Sequence, residues 1–237
     1  MLNILKNKKY QILETVRSTN DYIKDKDLDV VIANSQTGGK GTNNRSFFSP
    51  SGGIYLSVKL SLNLSGNDFL LLTPLVAVIS ANAIDKVAGV KTEIKWVNDL
   101  YLNGKKLGGI LCESKTTKAG CEVIIGVGIN VLKQTFPNFI KNTPTSLEDE
   151  TGVVIDKNRL IAELLQGFED FGEQLKSRDF LSFYRERFFL KDKPVSIEIN
   201  GETLVGKAVG VDDNLGLIVD INGEEKTFLN GFVTVNF

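Results

Sequence analysis

The chain has 237 residues, 42% of them hydrophobic, enough for one sizeable core and one or two domains. Its 28 basic and 29 acidic residues leave a formal charge of −1, which excludes a strongly basic footprint for nucleic acid or an anionic membrane. There is no histidine, which excludes imidazole bases, Ser-His-Asp and Cys-His catalysis and imidazole-bound zinc, and Cys112 and Cys121 are too few for a four-thiolate metal site or a secreted disulfide framework.

Residues 1–10 hold a short apolar stretch broken by Lys6, Lys8 and Lys9, without the apolar core of a signal peptide, so a cytoplasmic protein is expected. Ser18-Thr19-Asn20 can cap a helix running into Asp21-Tyr22-Ile23, can face a ligand, or both. Val30 to Ala33 reads as a strand, and directly after it comes Gln36-Thr37-Gly38-Gly39-Lys40-Gly41-Thr42-Asn43-Asn44-Arg45. The glycines let backbone N–H groups approach a ligand closely, and Lys40 and Arg45 add charge suited to phosphate. The loop matches neither a P-loop nor a dinucleotide fingerprint, and with few apolar residues it is expected to be mobile until a ligand arrives.

Residues 54–62 alternate as a strand. Residues 68–89 read as a buried helix ended by Gly89, with Pro74 either its first residue after a Thr73 cap or an internal kink. Its apolar run is interrupted and falls short of the ~20 residues that span a bilayer, so no membrane span is expected. Between Ile94 and Leu111, Asn103-Gly104 marks a hairpin. Ahead of it stands Lys95-Trp96-Val97-Asn98-Asp99, where Trp96 can wall a pocket, Asn98 can read polar edges, and Asp99 can hold Mg²⁺ or cap a turn. After it, Lys106 enters the apolar run Leu107 to Glu113, with Gly108 and Gly109 where something packs close, and its ammonium could reach a cavity in which acyl-phosphate charge needs neutralising.

Residues 121–131 read as a strand buried on both faces. Gly126 and Gly128 there weaken the strand unless a large group passes close by, one that Asn130 could hydrogen-bond. Residues 158–176 form a helix with Leu160, Ile161, Leu164, Leu165, Phe168, Phe171 and Leu175 on one face, and residues 180–189 a shorter one. From Pro194 to Val235 short alternating strands are separated by Asn200-Gly201, Asp212-Asp213-Asn214 and Asn222-Gly223. The predicted fold is α+β: a mixed sheet flanked by helices over residues 1–190, and a small β-barrel over residues 191–237 that packs on it.

Together these segments resemble the biotin protein ligases, the biotin–[acetyl-CoA-carboxylase] ligases. The family's Ser-Thr-Asn is similar to Ser18 to Asn20, its glycine-rich adenylate loop to Gln36 to Arg45, and its Lys-Trp-Pro-Asn-Asp to Lys95 to Asp99. Its Lys-Leu-x-Gly-Ile-Leu-x-Glu is similar to Lys106 to Glu113, and its Gly-x-Gly-x-Asn to Gly126 to Asn130. The order and spacing agree over about residues 10–235. There are departures: Thr42 stands where the family often has a long polar side chain, Phe47 where tryptophan is common, and Val97 where proline is usual. The DNA-binding helix-turn-helix of longer members has no counterpart ahead of residue 10, so that role is not implied.

The resemblance implies ATP-dependent formation of biotinyl-5′-AMP, with Mg²⁺ on the triphosphate, then transfer to a lysine of a biotin carboxyl carrier protein. It places the ureido ring against Ser18, Thr19 and Gln36, the carboxylate and phosphate against Lys106 and Lys40, and adenine near Phe47, Asn98 and Asn130. Asn20, Gly39, Gly41, Thr42, Arg45, Trp96, Gly109 and Gly128 complete the binding set, and Asp99 is the candidate base for transfer. No nucleic acid or membrane partner is implied, and a homodimer is the default. Two other readings remain open: a lipoate or octanoate ligase or transferase, using Cys112 as a thiol nucleophile in the transferase case, and a non-catalytic biotin sensor.

Overall fold

The structure, a computed structural model, describes residues 8–42, 45–117, 120–140, 143–199 and 201–235. Lys6, Asn43 and Asn44 of the glycine loop, and Asn200 of the first C-terminal turn lie outside the described residues.

Seven strands make one sheet, in the order β1-β2-β3-β7-β6-β5-β4. β1 (Tyr10–Val16) runs parallel to β2 (Val30–Gln36), with the short helix α1 (Thr19–Lys24) between them. β3 (Gly53–Leu62), β7 (Gly120–Asn130), β6 (Lys105–Thr117), β5 (Asp99–Leu102) and β4 (Glu93–Lys95) follow, all antiparallel. The expected mixed sheet is therefore present. β2 is buried through Val30, Val31, Ile32 and Ala33, which is why that run is continuous rather than alternating. Asn103 and Gly104 both adopt positive φ, at 51° and 76°, the backbone a two-residue turn needs to match the twist of β5 and β6.

Helix α2 (Asp68–Ala88) buries residues on most of its surface, among them Leu71, Leu75, Val76, Ile79 and Ile84. It is long and apolar enough to cross a membrane, yet 67% of its most apolar window is buried inside the protein. It packs on α4 (Lys157–Gly167), α5 (Phe171–Ser177), α6 (Phe180–Glu186) and the β4–β6 part of the sheet. Pro74 lies inside the helix, and Gly89 ends it with φ 67°, donating its N–H to the Asp85 carbonyl.

The one helix expected over residues 158–176 is two. α4 stops at Gly167, where a Cβ would collide with Ile79 of α2, and Asp170 turns the chain through positive φ before α5 begins. The break brings Phe168 and Phe171 together with ring centroids 6.0 Å apart, so the apolar period survives while the helix does not. All seven residues expected on that face are buried. A short helix α3 (Leu147–Thr151), capped by the Ser146 hydroxyl, was not apparent from the sequence.

The C-terminal unit is the separate all-β element expected: β8 (Pro194–Ile199), β9 (Glu202–Val211), β10 (Leu217–Ile221), β11 (Glu224–Phe228) and β12 (Phe232–Val235). They form an antiparallel sheet ordered β11-β10-β9-β8-β12, and no pairing closes it into a barrel among the described residues. One apolar core runs through both sheets, joining Ile94 and Leu100 to Val195, Ile197 and Leu217. At the boundary the buried Trp96 donates its indole N–H to the Leu215 carbonyl at 2.7 Å.

That bond fixes the second sheet to the end of β4. Trp96→Phe keeps most of the apolar contact but leaves the Leu215 carbonyl without its partner, so stability should fall by about 1–3 kcal/mol in urea denaturation. An unchanged midpoint would contradict this tie.

Candidate active site

The C-terminal ends of β2 and β4, the β5–β6 hairpin and β7 surround a cavity of about 370 Å³, in the size range of small-molecule sites. It is lined by Ser18, Thr19, Asn20, Gln36, Lys40, Gly41, Thr42, Arg45, Phe47, Trp96, Asn98, Asp99, Lys106, Gly109, Gly128 and Asn130. Every residue that the resemblance assigns to binding or to the ligase chemistry is therefore brought to one place, except Gly39. A Cβ at Gly39 would collide with Ser49 Oγ and the Phe47 carbonyl, so its lack of a side chain serves the folding of the loop on itself.

Lys106 and Asp99 meet across the β5–β6 hairpin, with Nζ 2.7 Å from Oδ1, and both are largely buried. Lys40 is turned toward Asp21 on α1, with Nζ 2.6 Å from Oδ2. Burial alone would push the Asp21 carboxyl up, but hydrogen bonds from Lys40 and Lys24 hold it below the ordinary carboxylate range. The glycine loop is a small hairpin, closed by a hydrogen bond from Gly41 N–H to the Arg45 carbonyl and by the Lys40–Ser46 bridge.

Ser18 does two jobs, capping α1 through Asp21 N–H while its residue lines the cavity. The Gln36 side-chain oxygen Oε1 accepts from Thr19 N–H at 2.8 Å and Thr19 Oγ1 at 3.1 Å, and its Nε2 donates to Ser49 Oγ. This corner is preorganised for a polar ligand. Asn98 donates to the Ile110 carbonyl, which holds β5 beside β6. Asn130 donates to the Thr145 carbonyl, while its own side-chain oxygen is buried with no partner among the described residues. A buried acceptor left open at a cavity wall is a place for a ligand donor.

The large groups expected to pass over the β7 glycines are the protein's own. Asn20 lies against Gly126, donating to the Glu113 carboxylate at 2.9 Å and accepting from Ser57 Oγ at 2.7 Å. Phe47 lies on the platform made by the paired Gly109 and Gly128, where a Cβ on Gly128 would stand 2.7 Å from its ring.

Lys95, which opens the Lys-Trp-Val-Asn-Asp segment and was given no role there, is 7% exposed and lines the cavity. Burial pushes its ammonium below the ordinary lysine range, Asp99 opposes the shift, and Lys106 and Arg45 add to it. Also missed were Phe136, Phe139, Ile140 and Pro144 from the segment after β7, and residues 229–233 from the C-terminal sheet. Among the described lining residues, the cations Lys40, Arg45, Lys95 and Lys106 face one carboxylate, Asp99. Near-neutral overall, the chain concentrates positive charge here. No group of three carboxylate or thiol side chains that could hold a metal occurs among the described residues.

Cys112 does not line the cavity, and burial pushes its thiol up to about 12. It is not placed or poised to be a nucleophile.

The sequence profile of the biotin/lipoate A/B protein ligase family matches residues 12–130. The biotin–[acetyl-CoA-carboxylase] ligase of Mycobacterium tuberculosis is 31% identical over 202 residues, covering 82% of this chain and 74% of that protein. The bifunctional ligase/repressor BirA of Salmonella typhimurium is 29% identical, covering 94% of this chain and 73% of its own length. Among solved structures, the Aquifex aeolicus biotin protein ligase in complex with biotin and ATP superposes with a TM-score of 0.82 at 25% identity, covering 96% and 98% of the two chains.

An anion bound beside Lys95 favours the protonated ammonium. As pH rises through the lowered value of the free lysine, that contact is lost, so tripolyphosphate affinity should begin to fall below the ordinary lysine value of 10.5. Titration calorimetry on Lys95→Met should show binding weaker at pH 7 by about 10-fold, the lower end for a charge-assisted contact. Retention of the same alkaline fall in that variant would contradict the assignment.

Proposed function

The chain belongs to the biotin/lipoate A/B protein ligase family, and on that footing we propose that it is an ATP-dependent biotin protein ligase, forming biotinyl-5′-AMP and passing the biotinyl group to a carrier-protein lysine. The observation that carries this reading is the charge of the cavity: four cations and one carboxylate, the latter already paired with Lys106. Such a site takes a polyanion, and the Ser18–Thr19–Gln36 corner offers polar groups to an uncharged ring.

The first step needs no histidine. A valerate carboxylate, with a pKa of about 4 to 5, is ionised at neutral pH and attacks the α-phosphorus directly while pyrophosphate leaves. What the protein supplies is position and neutralisation of charge. Lys106 is assigned to the junction between carboxylate and α-phosphate, Lys95 and Lys40 to the phosphate oxygens, and Asn130 Oδ1 to a donor on the adenine edge. Mg²⁺ enters bound to ATP.

In the second step the acceptor amine attacks the acyl carbonyl, an amide forms, and AMP leaves with its shared oxygen. The amine must first lose a proton, and its acceptance is assigned to Asp99, which lines the cavity and is paired with Lys106. The acceptor is assigned as the lysine of a biotin carboxyl carrier protein in the cytoplasm, where ATP is supplied and Cys112 and Cys121 stay reduced. A homodimer is the default assembly for such a chain.

The placement of Cys112 disfavours the thiol-transferase alternative. Biotin-dependent exchange of pyrophosphate into ATP separates the remaining readings: exchange with lipoate or octanoate in place of biotin would overturn the substrate, and binding of biotin without exchange would leave a sensor. Lys106→Ala should lower biotin-dependent exchange by about 10²-fold, as removal of one charge-stabilising donor does; undiminished exchange would overturn its role. Biotin and ATP together should protect the loop spanning residues 38–48 from protease, and equal cleavage with and without them would contradict ligand-coupled ordering.

A further inference from the structure

Arg45 stands in an unfavourable place. It lies near Lys95, whose ammonium its charge pushes toward neutrality, and among the described residues its side-chain hydrogen bonds go to its own loop, from Nε and Nη2 to the Thr42 carbonyl and hydroxyl at 3.3 Å. Among the described residues of the first sheet, no carboxylate pairs with this guanidinium at the cation-rich mouth. Its partner comes from the C-terminal sheet: Arg45 Cζ is 4.4 Å from the centroid of the Phe232 ring, and both residues line the cavity. Stacking on an aromatic face favours the cation without adding a carboxylate that would compete with a phosphate ligand.

Phe232 is delivered there by the local backbone. It opens β12 directly after Gly231, whose φ of 137° strains any other residue and where a Cβ would press on Ile197 at 3.1 Å. Phe232 then pairs with Glu198 of β8, so the ring is anchored by the sheet and not by the glycine loop. The same sheet is fixed to the end of β4 by the buried Trp96–Leu215 hydrogen bond. The cavity is thus joined to the second sheet at two points, one buried at Trp96 and one at the more exposed Arg45.

We propose that Phe232 is a positioning residue that latches the glycine loop: by stacking on Arg45 it presets the loop over the phosphate end of the cavity, so that the C-terminal sheet controls nucleotide retention. This rests on the reading of the site as an adenylating one, but the latch itself can be read without turnover. An exposed cation–π contact changes an equilibrium about two- to fivefold, which sets the size of the effect.

The experiment is amide hydrogen exchange of residues 38–48 in the unliganded full chain, compared for wild type, Phe232→Leu, Phe232→Tyr, Arg45→Lys and Phe232→Leu/Arg45→Lys. Loop exchange should rise two- to fivefold in Phe232→Leu and in Arg45→Lys, rise no further in the double variant, and stay within twofold of wild type in Phe232→Tyr. Equal loop exchange in wild type and Phe232→Leu, additive effects in the double variant, or loss in Phe232→Tyr equal to that in Phe232→Leu would overturn the latch. In pyrophosphate exchange the KM for ATP should rise by the same factor in Phe232→Leu with kcat within twofold; a fall in kcat at unchanged KM would also overturn it. Absence of biotin-dependent exchange in the wild type would defeat the ligase reading and leave the amide-exchange result to decide the latch.

Discussion

Like charges gathered in one cavity repel one another, and the fold sets a neighbour against each of them. Lys106 has Asp99 across a hairpin, Lys40 has Asp21 on α1, Arg45 has the Phe232 ring, and Lys95, which burial pushes toward neutrality, is opposed in that shift by Asp99 and lies with Nζ 5.7 Å from the Tyr101 ring centroid. Asp99 thus serves both Lys106 and Lys95, and a bound polyanion adds the negative charge that the four cations lack. The excess of charge is stored in the folded state and released by the ligand, which is how a near-neutral chain can bind a triphosphate.

The sheet supplies the geometry. β6 and β7 meet at Gly109 and Gly128, leaving a floor without side chains on which Phe47 lies. The β5–β6 turn at Asn103-Gly104 sets a register in which Lys106 stands opposite Tyr101, from where its ammonium reaches the Asp99 carboxylate. Helix α2 and the three helices packed on it bury the opposite side, so the strands that carry the site rest on an apolar core. Positioning of this kind acts where chemistry needs alignment and charge neutralisation more than a strong base.

Much of this was legible because chemistry marks its own residues. Glycines inside strands, lysines entering apolar runs and a lone tryptophan beside Asn98 and Asp99 stand out without any structure. The walls contributed by Phe136, Phe139 and residues 229–233 carry no such mark, since an aromatic or a turn residue reads the same in a core, a loop or a cavity. Lys95 was hidden because a short strand gives no sign of how deeply its lysine is buried. β1 was hidden by its place at the sheet edge, where its outward residues are exposed and its apolar pattern is weak. The break between α4 and α5 was invisible for the opposite reason: Phe168 and Phe171 keep the helical spacing on either side of it.

The positive cavity is assigned to forming an acyl adenylate. The most direct test is incubation of the protein with biotin and MgATP in the absence of any acceptor, followed by gel filtration and mass spectrometry of what remains bound. The account predicts about one biotinyl-5′-AMP per chain with pyrophosphate released. Recovery of unreacted biotin and ATP, or of neither, would contradict it.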